Sequence, residues 1–141
     1  MADIQYIPMT IQDYDEVVVL WKNSVGIALS GADSMENIAD FLQRNPGLAF
    51  IARDGEKLAG AALCGNDGRR GYLYHLAVAK AYQHSGIGQA LTQKVLTALK
   101  AAGIEKCHIF VIADNEEGLR FWQKIGWKKR DDIILMSYEL K

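Results

Sequence analysis

The chain has 141 residues and carries 16 lysines and arginines against 17 aspartates and glutamates, so its formal charge is −1 with neutral histidines. A domain usually takes about 100–200 residues, so this length predicts one domain over residues 1–141 and excludes a catalytic domain joined to a separate substrate domain. Half of the residues are apolar. Together with the near-zero charge, this argues against disorder and against nucleic acid or a membrane surface as a partner.

Targeting signals and cysteine usage both favour a cytoplasmic location. Apolar runs such as residues 17–21 are far shorter than the roughly 18–20 residues that cross a bilayer, and the first residues lack the pattern of a secretion signal. Cys64 and Cys107 have neither the number nor the spacing of a disulfide scaffold or a metal site. We therefore expect a cytoplasmic protein with reduced thiols and no metal.

The first third of the chain predicts one strand and two helices. Residues 3–9 alternate as a strand does, and Thr10 with Asp13 three residues later forms a capping-box pattern. The apolar residues that follow have helical spacing and predict one buried stripe: Ile11, Tyr14, Val18, Trp21 and Val25. After a loop over residues 26–31, the sequence at 33–36 opens a second helix that ends at residues 45–47.

The middle of the chain predicts an antiparallel meander, and the remainder alternates helices with extended segments. Turn sequences separate three predicted strands, at residues 48–53, 57–65 and 71–79. The later elements are predicted from apolar spacing and from capping residues: a helix from Ile87 to Gly103, a strand from Ile104 to Ile112, a helix from Asn115 to Gly126, and one or more extended segments from Trp127 to Leu140. This alternation predicts an α/β sandwich.

The stretch from Leu76 to Leu91 runs from a predicted strand through a glycine-containing loop into a helix. Gly86 and Gly88 allow close approach of the backbone to a ligand, and the free N–H groups at a helix start attract an anion. No Lys-Ser or Lys-Thr follows either glycine, which excludes a P-loop, and Leu91 stands where a dinucleotide fingerprint has its third glycine. A tight turn without a ligand is the alternative.

Gln83, Gly86 and Gly88 satisfy the signature Q/R-x-x-G-x-G/A, and on these residues the sequence resembles the GNAT superfamily of acetyl-CoA-dependent N-acetyltransferases. The resemblance extends to the Leu-Ala-Val of residues 76–78 and to Asn115 at the start of the next helix. The Gly-Asn-Asp-Gly-Arg-Arg-Gly sequence before the third meander strand also resembles a bacterial subgroup with a G-x-D-G-R-R-G hairpin.

The resemblance implies a fold and a reaction. The fold is an α/β (α+β) domain in which about four helices flank a mixed, mostly antiparallel central sheet. The reaction is direct transfer of an acetyl group from acetyl-CoA, as co-substrate, to a primary amine of a small molecule, peptide or protein in a ternary complex. The enzyme would act as a monomer or homodimer.

The resemblance also assigns coenzyme A to the residues around the signature. Backbone groups of Leu76, Ala77 and Val78 would pair with the pantetheine arm. The pyrophosphate would be held by the backbone amides of the loop and the helix start: Gln83, His84, Ser85, Gly86, Ile87, Gly88 and Gln89. The pantetheine arm would be flanked by three residues of the next helix: Asn115, Phe121 and Trp122.

The residues that GNAT enzymes often use for proton transfer are absent here. Tyr72, Tyr74 and His75 lie on the strand where the family often has a glutamate, and Trp122 stands where a tyrosine usually protonates the leaving thiolate. His75 is the candidate base because imidazole titrates near neutral pH. Tyr72 and Tyr74, on the opposite strand face, would line the acceptor cleft or relay a proton, and Tyr138 would substitute as the acid. Simple packing is the alternative for each residue.

Two further features leave alternatives open. Asp33 and Glu36 would either recognise the acceptor's ammonium group or only cap a helix. The missing glutamate and tyrosine also keep a second function possible, a non-catalytic acyl-CoA-binding or regulatory module.

Overall fold

The computed structural model describes residues 3–140, and its helices and strands follow the predicted order. Five strands occur in this range: β1 (Ile4–Pro8), β2 (Phe50–Asp54), β3 (Lys57–Asn66), β4 (Gly71–Val78) and β5 (Cys107–Ile109). Four α-helices accompany them: α1 (Tyr14–Lys22), α2 (Met35–Arg44), α3 (Ile87–Ala101) and α4 (Glu116–Lys124). No helix of this part of the chain is both long and apolar enough to cross a membrane.

The five strands form one sheet whose spatial order equals their chain order, β1-β2-β3-β4-β5. The first four strands pair antiparallel, and β5 pairs parallel to β4. A parallel pair needs a crossover, which α3 supplies. The predicted meander and the mixed, mostly antiparallel sheet flanked by four helices are therefore confirmed.

The sheet separates two hydrophobic cores. On one face, α1 and α2 bury Trp21 and Ile38 against β2 and β3. On the other face, α3 and α4 bury Leu91 and Trp122. Most of β3 is buried, and because both of its faces are covered, its sequence is a nearly continuous run of small and apolar residues rather than an alternating one.

The predicted stripe of the first helix is correct as far as Trp21 and wrong at Val25. Thr10 forms the predicted capping box with Asp13, whose carboxylate accepts the Thr10 N–H at 2.9 Å. The helix ends at Lys22, so Val25 follows its last turn and is 92% exposed. The apolar spacing continued past the helix end and therefore overestimated its length.

The C-terminal part of the chain contains less β-strand than the sequence predicts. The predicted strand from Ile104 to Ile112 contracts to β5, which has three residues. Within the described residues no strand forms between Trp127 and Leu140, and the large apolar side chains of residues 133–140 are exposed. In the described part of the chain this segment has strand propensity but no strand to pair with, and propensity alone does not make a strand.

Candidate active site

A gap opens in the sheet where β4 and β5 separate. The two strands pair only between residues 71–73 of β4 and residues 107–109 of β5. β4 then continues to Val78 while pairing with β3 alone. Residues 74–78 of β4 therefore have no strand on their β5 side within the described part of the chain, and this edge lies immediately before the glycine-containing loop.

The peptide groups on this free edge belong mainly to Leu76 and Val78. The Ala79 N–H donates to the Ala59 carbonyl at 2.8 Å on the β3 side. Because peptide groups alternate between the two sides of a strand, those of Ala77 also point to β3, whereas those of Leu76 and Val78 point away from it. An extended ligand beside this edge would meet the groups of these two residues.

Hydrogen bonds tie the loop after β4 to the sheet. The Gln83 side-chain amide donates to the Val78 carbonyl at 3.1 Å, and the Ser85 hydroxyl donates to the Tyr82 carbonyl. The Tyr82 hydroxyl donates to the Asp54 carboxylate of β2 at 2.5 Å, and this bond raises the pKa of Tyr82. Gln83 therefore supports the free edge through its side chain, a role that the signature alone did not show.

The start of α3 has unpaired backbone donors. Gly86 lies at its N-cap with φ of +87°, and none of the described side chains caps it. The first bond of the helix runs from the Ala90 N–H to the Gly86 carbonyl, so the N–H groups of residues 87–89 have no partner within the helix. His84 also has a positive φ, of 63°. A Cβ at Gly86 would meet no protein atom within 4 Å, so the space beside this residue is open.

The aromatic residues of α4 differ in their access to this place. A Cβ at Gly88 would lie 3.3 Å from Cζ of Phe121, so the Phe121 ring closes one side of the helix start. Trp122 is only 7% exposed and packs edge-on against Phe121 and Trp127, with centroid distances of 5.0 and 5.1 Å. Trp122 is therefore a core residue, and its ring packs against the Phe121 ring.

Asn115 joins two segments near the same end of the sheet. Its side-chain oxygen accepts the Gly118 N–H at 3.0 Å and so caps α4. Its side-chain nitrogen lies 2.4 Å from the position that a Cβ would take on Gly26, which follows α1. The predicted capping role of Asn115 is confirmed, and the side chain also contacts the loop between the first two helices.

A β-bulge in β4 changes the predicted faces of its aromatic residues. Leu63 of β3 lies opposite His75 and Cys64 lies opposite Leu73, so Tyr74 is an extra residue without a partner. A bulge places two successive side chains on one face. The prediction that Tyr72 and Tyr74 lie on the face opposite His75 is therefore wrong, because it assumed strict alternation.

Ring contacts show that these side chains share the face covered by α1 and α2. His75 packs against Trp21 of α1 with a centroid distance of 4.8 Å, and Tyr74 packs against Phe41 of α2 at 5.7 Å. Tyr72 stacks on Tyr74 at 6.1 Å. Burial raises the pKa of Tyr74, so at neutral pH its phenol is a proton donor and not a base.

Asp33 is the closest polar partner of His75. Its Oδ1 lies 2.8 Å from His75 Nε2, and its Oδ2 accepts the Ser30 N–H at 3.1 Å in a capping box. This bond caps the short 3₁₀ turn Gly31–Asp33, whereas the cap of α2 is Ser34. Each carboxylate oxygen of Asp33 thus has a partner within the protein. Sequence reasoning missed the contact with His75, because 42 residues separate the two.

Tyr138 is not brought to the other predicted residues. It is 89% exposed and lies in the irregular C-terminal segment. Within residues 3–140, neither a hydrogen bond nor a ring contact involves it. Cys64 and Cys107 are free thiols in the described part of the chain. Cys64 is fully buried, and the neighbouring Cys107 thiol together with burial raises its pKa.

Comparison with known proteins finds relatives along most of the chain. The family model described as the acetyltransferase (GNAT) family matches residues 18–127. An acetyltransferase of Sodalis glossinidius is 28% identical over 128 residues, which cover 91% of this chain and 89% of that protein. An acetyltransferase of Yersinia pestis is 29% identical over 123 residues, which cover 87% of this chain and 86% of that protein.

Solved structures share the fold at lower identity. The PaiA N-acetyltransferase from Thermoplasma acidophilum, in complex with coenzyme A, superposes with a TM-score of 0.78 at 22% identity and 92% coverage of both chains. An aminoglycoside acetyltransferase from an uncultured soil metagenomic sample, in complex with sisomicin, gives 0.77 at 17% identity, over 98% of this chain and 97% of that chain. At these identities the likeness establishes the fold.

Proposed function

The chain belongs to the acetyltransferase (GNAT) family, and we propose that it transfers the acetyl group of acetyl-CoA directly to a primary amine, as a single domain. The observation that carries the proposal is the free edge of β4 that leads into the uncapped start of α3. A strand edge and a row of unpaired amides, joined by one short loop, suit a ligand with an amide-containing arm and a diphosphate.

Coenzyme A would bind along this path. Its pantetheine arm would pair as an added strand with the N–H and C=O of Leu76 and with the N–H of Val78, whose carbonyl already accepts from the Gln83 side chain. Its diphosphate would accept from the amides between Gln83 and Gln89, where the helix dipole favours negative charge. His84 and Ser85 offer no permanent positive charge there, so the affinity would depend on the backbone. Phe121 would flank the arm, with Asn115 and Trp122 holding α4 in place.

The acceptor amine would bind on the α1 and α2 side of the gap. Its nitrogen attacks the thioester carbonyl, the C–N bond forms, the C–S bond breaks, and coenzyme A leaves as a thiolate. His75 takes the proton that the amine loses, and Tyr72 and Tyr74 line the cleft. Backbone N–H groups at the gap stabilise the developing oxyanion. Tyr138 would protonate the thiolate only if the exposed C-terminal segment folded towards Tyr72.

The test is incubation of the protein with acetyl-CoA and a panel of polyamines, amino acids, peptides and aminoglycosides, with products read by mass spectrometry. An acetylated amine supports the proposal. Tight binding of coenzyme A without any acetylated amine would instead favour a non-catalytic acyl-CoA-binding module. The absence of the glutamate and tyrosine that the family often uses is the reason to consider this alternative.

The role of His75 is tested on the best acceptor. We expect His75→Gln to lower kcat/KM roughly 10²–10⁴-fold while the affinity for coenzyme A stays within about twofold. The loss should be larger for alkylamines than for α-amines, since deprotonation at pH 7 costs about 4–5 kcal/mol for the former and about 1 kcal/mol for the latter. Full activity of His75→Gln across both amine classes would show that His75 is structural.

A further inference from the structure

We infer that Asp33 is a positioning residue for His75, an inference that rests on the proposed function. The two side chains meet at 2.8 Å between Asp33 Oδ1 and His75 Nε2, and they are only 11% and 14% exposed. The carboxylate comes from the segment between α1 and α2, and the imidazole comes from β4. The contact therefore joins the two sides of the proposed acceptor cleft.

Asp33 is itself held in place by its neighbours. Its second carboxylate oxygen accepts the Ser30 N–H at 3.1 Å, and its carbonyl accepts the Tyr14 hydroxyl at 2.5 Å. The Asn37 side chain donates to the Gly31 carbonyl at 2.7 Å in the same segment. An exposed ion pair loses most of its value to side-chain freedom and screening. Here the carboxylate is already ordered and largely buried, so it can orient its partner.

The side chain of His75 is also restricted by its neighbours. The bulge at Tyr74 turns the imidazole to the α1 and α2 side, where the Trp21 ring packs against it at 4.8 Å. Leu63 lies opposite it on β3. The Trp21 side chain is fully buried, and its indole nitrogen is a buried donor without a partner in the described part of the chain. Asp33 is thus the polar group that fixes the orientation of this imidazole.

The contact decides which nitrogen can act as the base. An ionised carboxylate only accepts hydrogen bonds, so Nε2 must carry the proton that faces Asp33, and Nδ1 keeps its lone pair. The proton lost by the amine goes to Nδ1. The resulting imidazolium keeps its Nε2–H bond to Asp33, whose negative charge stabilises it, and the Nε2 proton is not transferred.

A double-mutant cycle separates this role from a merely structural one. We expect Asp33→Asn to lower kcat/KM for the amine roughly 10–10³-fold in the wild type, because the substituted amide carries no charge and can turn its NH₂ group to Nε2. In the His75→Gln background the same substitution should change kcat/KM by no more than about twofold, since its effect passes through the imidazole. Affinity for acetyl-CoA should be unchanged throughout.

The matched control is Ser34→Ala. The Ser34 hydroxyl caps α2 by accepting the Asn37 N–H at 3.2 Å, so its loss loosens the same segment without touching Asp33. We expect a lower Tm and a kcat/KM within about twofold of wild type. The ¹⁵N NMR spectrum of the wild-type imidazole provides a readout that needs neither activity nor a folded variant. It should show a single tautomer with the proton on Nε2.

Each outcome has one meaning. If Asp33→Asn keeps full activity while His75→Gln is strongly impaired, the positioning role of Asp33 is wrong, but His75 remains the base. Equal losses from Asp33→Asn in both backgrounds would also overturn it, because the effect would then be structural. A proton on Nδ1 in the wild type would overturn it without any kinetics. Absence of acetylated product from every amine would refute the proposed function instead.

Discussion

Two glycines that flank α3 allow the coenzyme A assignment to be tested against an internal control. Gly86 precedes the helix with φ of +87°, and Gly103 follows it with φ of +85°. A Cβ on either residue would meet no atom within 4 Å. Replacement by alanine therefore introduces the same backbone strain without a clash, about 1–2 kcal/mol for a residue held in the left-handed region. The two variants should lose similar unfolding free energy and about 2–8 °C in Tm.

Only Gly86→Ala should weaken the binding of acetyl-CoA. At a ligand concentration of about 100 Kd, the wild type gains roughly 2.7 kcal/mol of stability from binding. The new methyl group would occupy the open space beside the N–H groups of residues 87–89. Loss of one charge-assisted hydrogen bond, worth about 1.5–3 kcal/mol, raises Kd at least tenfold. The stability gain at the same concentration then falls to roughly 1.4 kcal/mol or less.

The assay is thermal unfolding with and without acetyl-CoA, supported by titration calorimetry. Gly103→Ala should show the same ligand-induced rise in Tm as the wild type, and Gly86→Ala a much smaller one. Gly86→Val extends the series with a larger side chain. If folded Gly86→Ala binds acetyl-CoA as tightly as Gly103→Ala, the diphosphate does not lie at the start of α3 and the assignment of this loop is wrong.

Two further predictions concern the loop and the first helix. Tyr82→Phe removes the hydrogen bond to Asp54 that connects the loop to β2. We expect this variant to bind acetyl-CoA more weakly in titration calorimetry. Unchanged affinity would mean that this hydrogen bond does not order the loop. Arg53 donates to Glu16 and Asp13 at 2.8 and 3.0 Å, and its hydrogen bond lowers the pKa of Glu16. A lowered pKa adds stability above the ordinary glutamate value and loses it as the pH falls through the folded value. The difference in unfolding free energy between wild type and Arg53→Met in urea should therefore shrink from neutral pH to about pH 3, and a constant difference would contradict the ion pair.

Local signals in the sequence predicted most of the framework. The capping box of Thr10 and Asp13, the cap at Asn115 and the turns of the meander all depend on neighbours within a few residues, and the structure forms each of them. The predictions for Val25 and for the segment after Trp127 were wrong for a related reason. Apolar spacing and strand propensity describe what a segment can do, whereas the end of a helix and the partner of a strand are decided by the rest of the fold.

The parts of the site that the sequence did not predict depend on long-range pairing. Strict alternation placed Tyr74 and His75 on opposite faces, and the bulge is visible only in the register between β3 and β4. The contact between Asp33 and His75 spans 42 residues, so no spacing rule could detect it. The signature around Gly86, in contrast, is contiguous in sequence, and its strand, loop and helix could be predicted directly.

The bulge at Tyr74 also bears on how such a cleft can arise. Leu73 and His75 keep the faces that regular alternation would give them if Tyr74 were absent, because they lie opposite the successive residues Cys64 and Leu63. Tyr74 is thus one residue inserted into a strand whose other side chains already fit both cores. A bulge bends its strand and increases its twist, and β4 leaves β5 directly after Leu73. The sheet therefore opens at the position of one inserted residue, and this insertion leaves the neighbouring side chains of both cores in place.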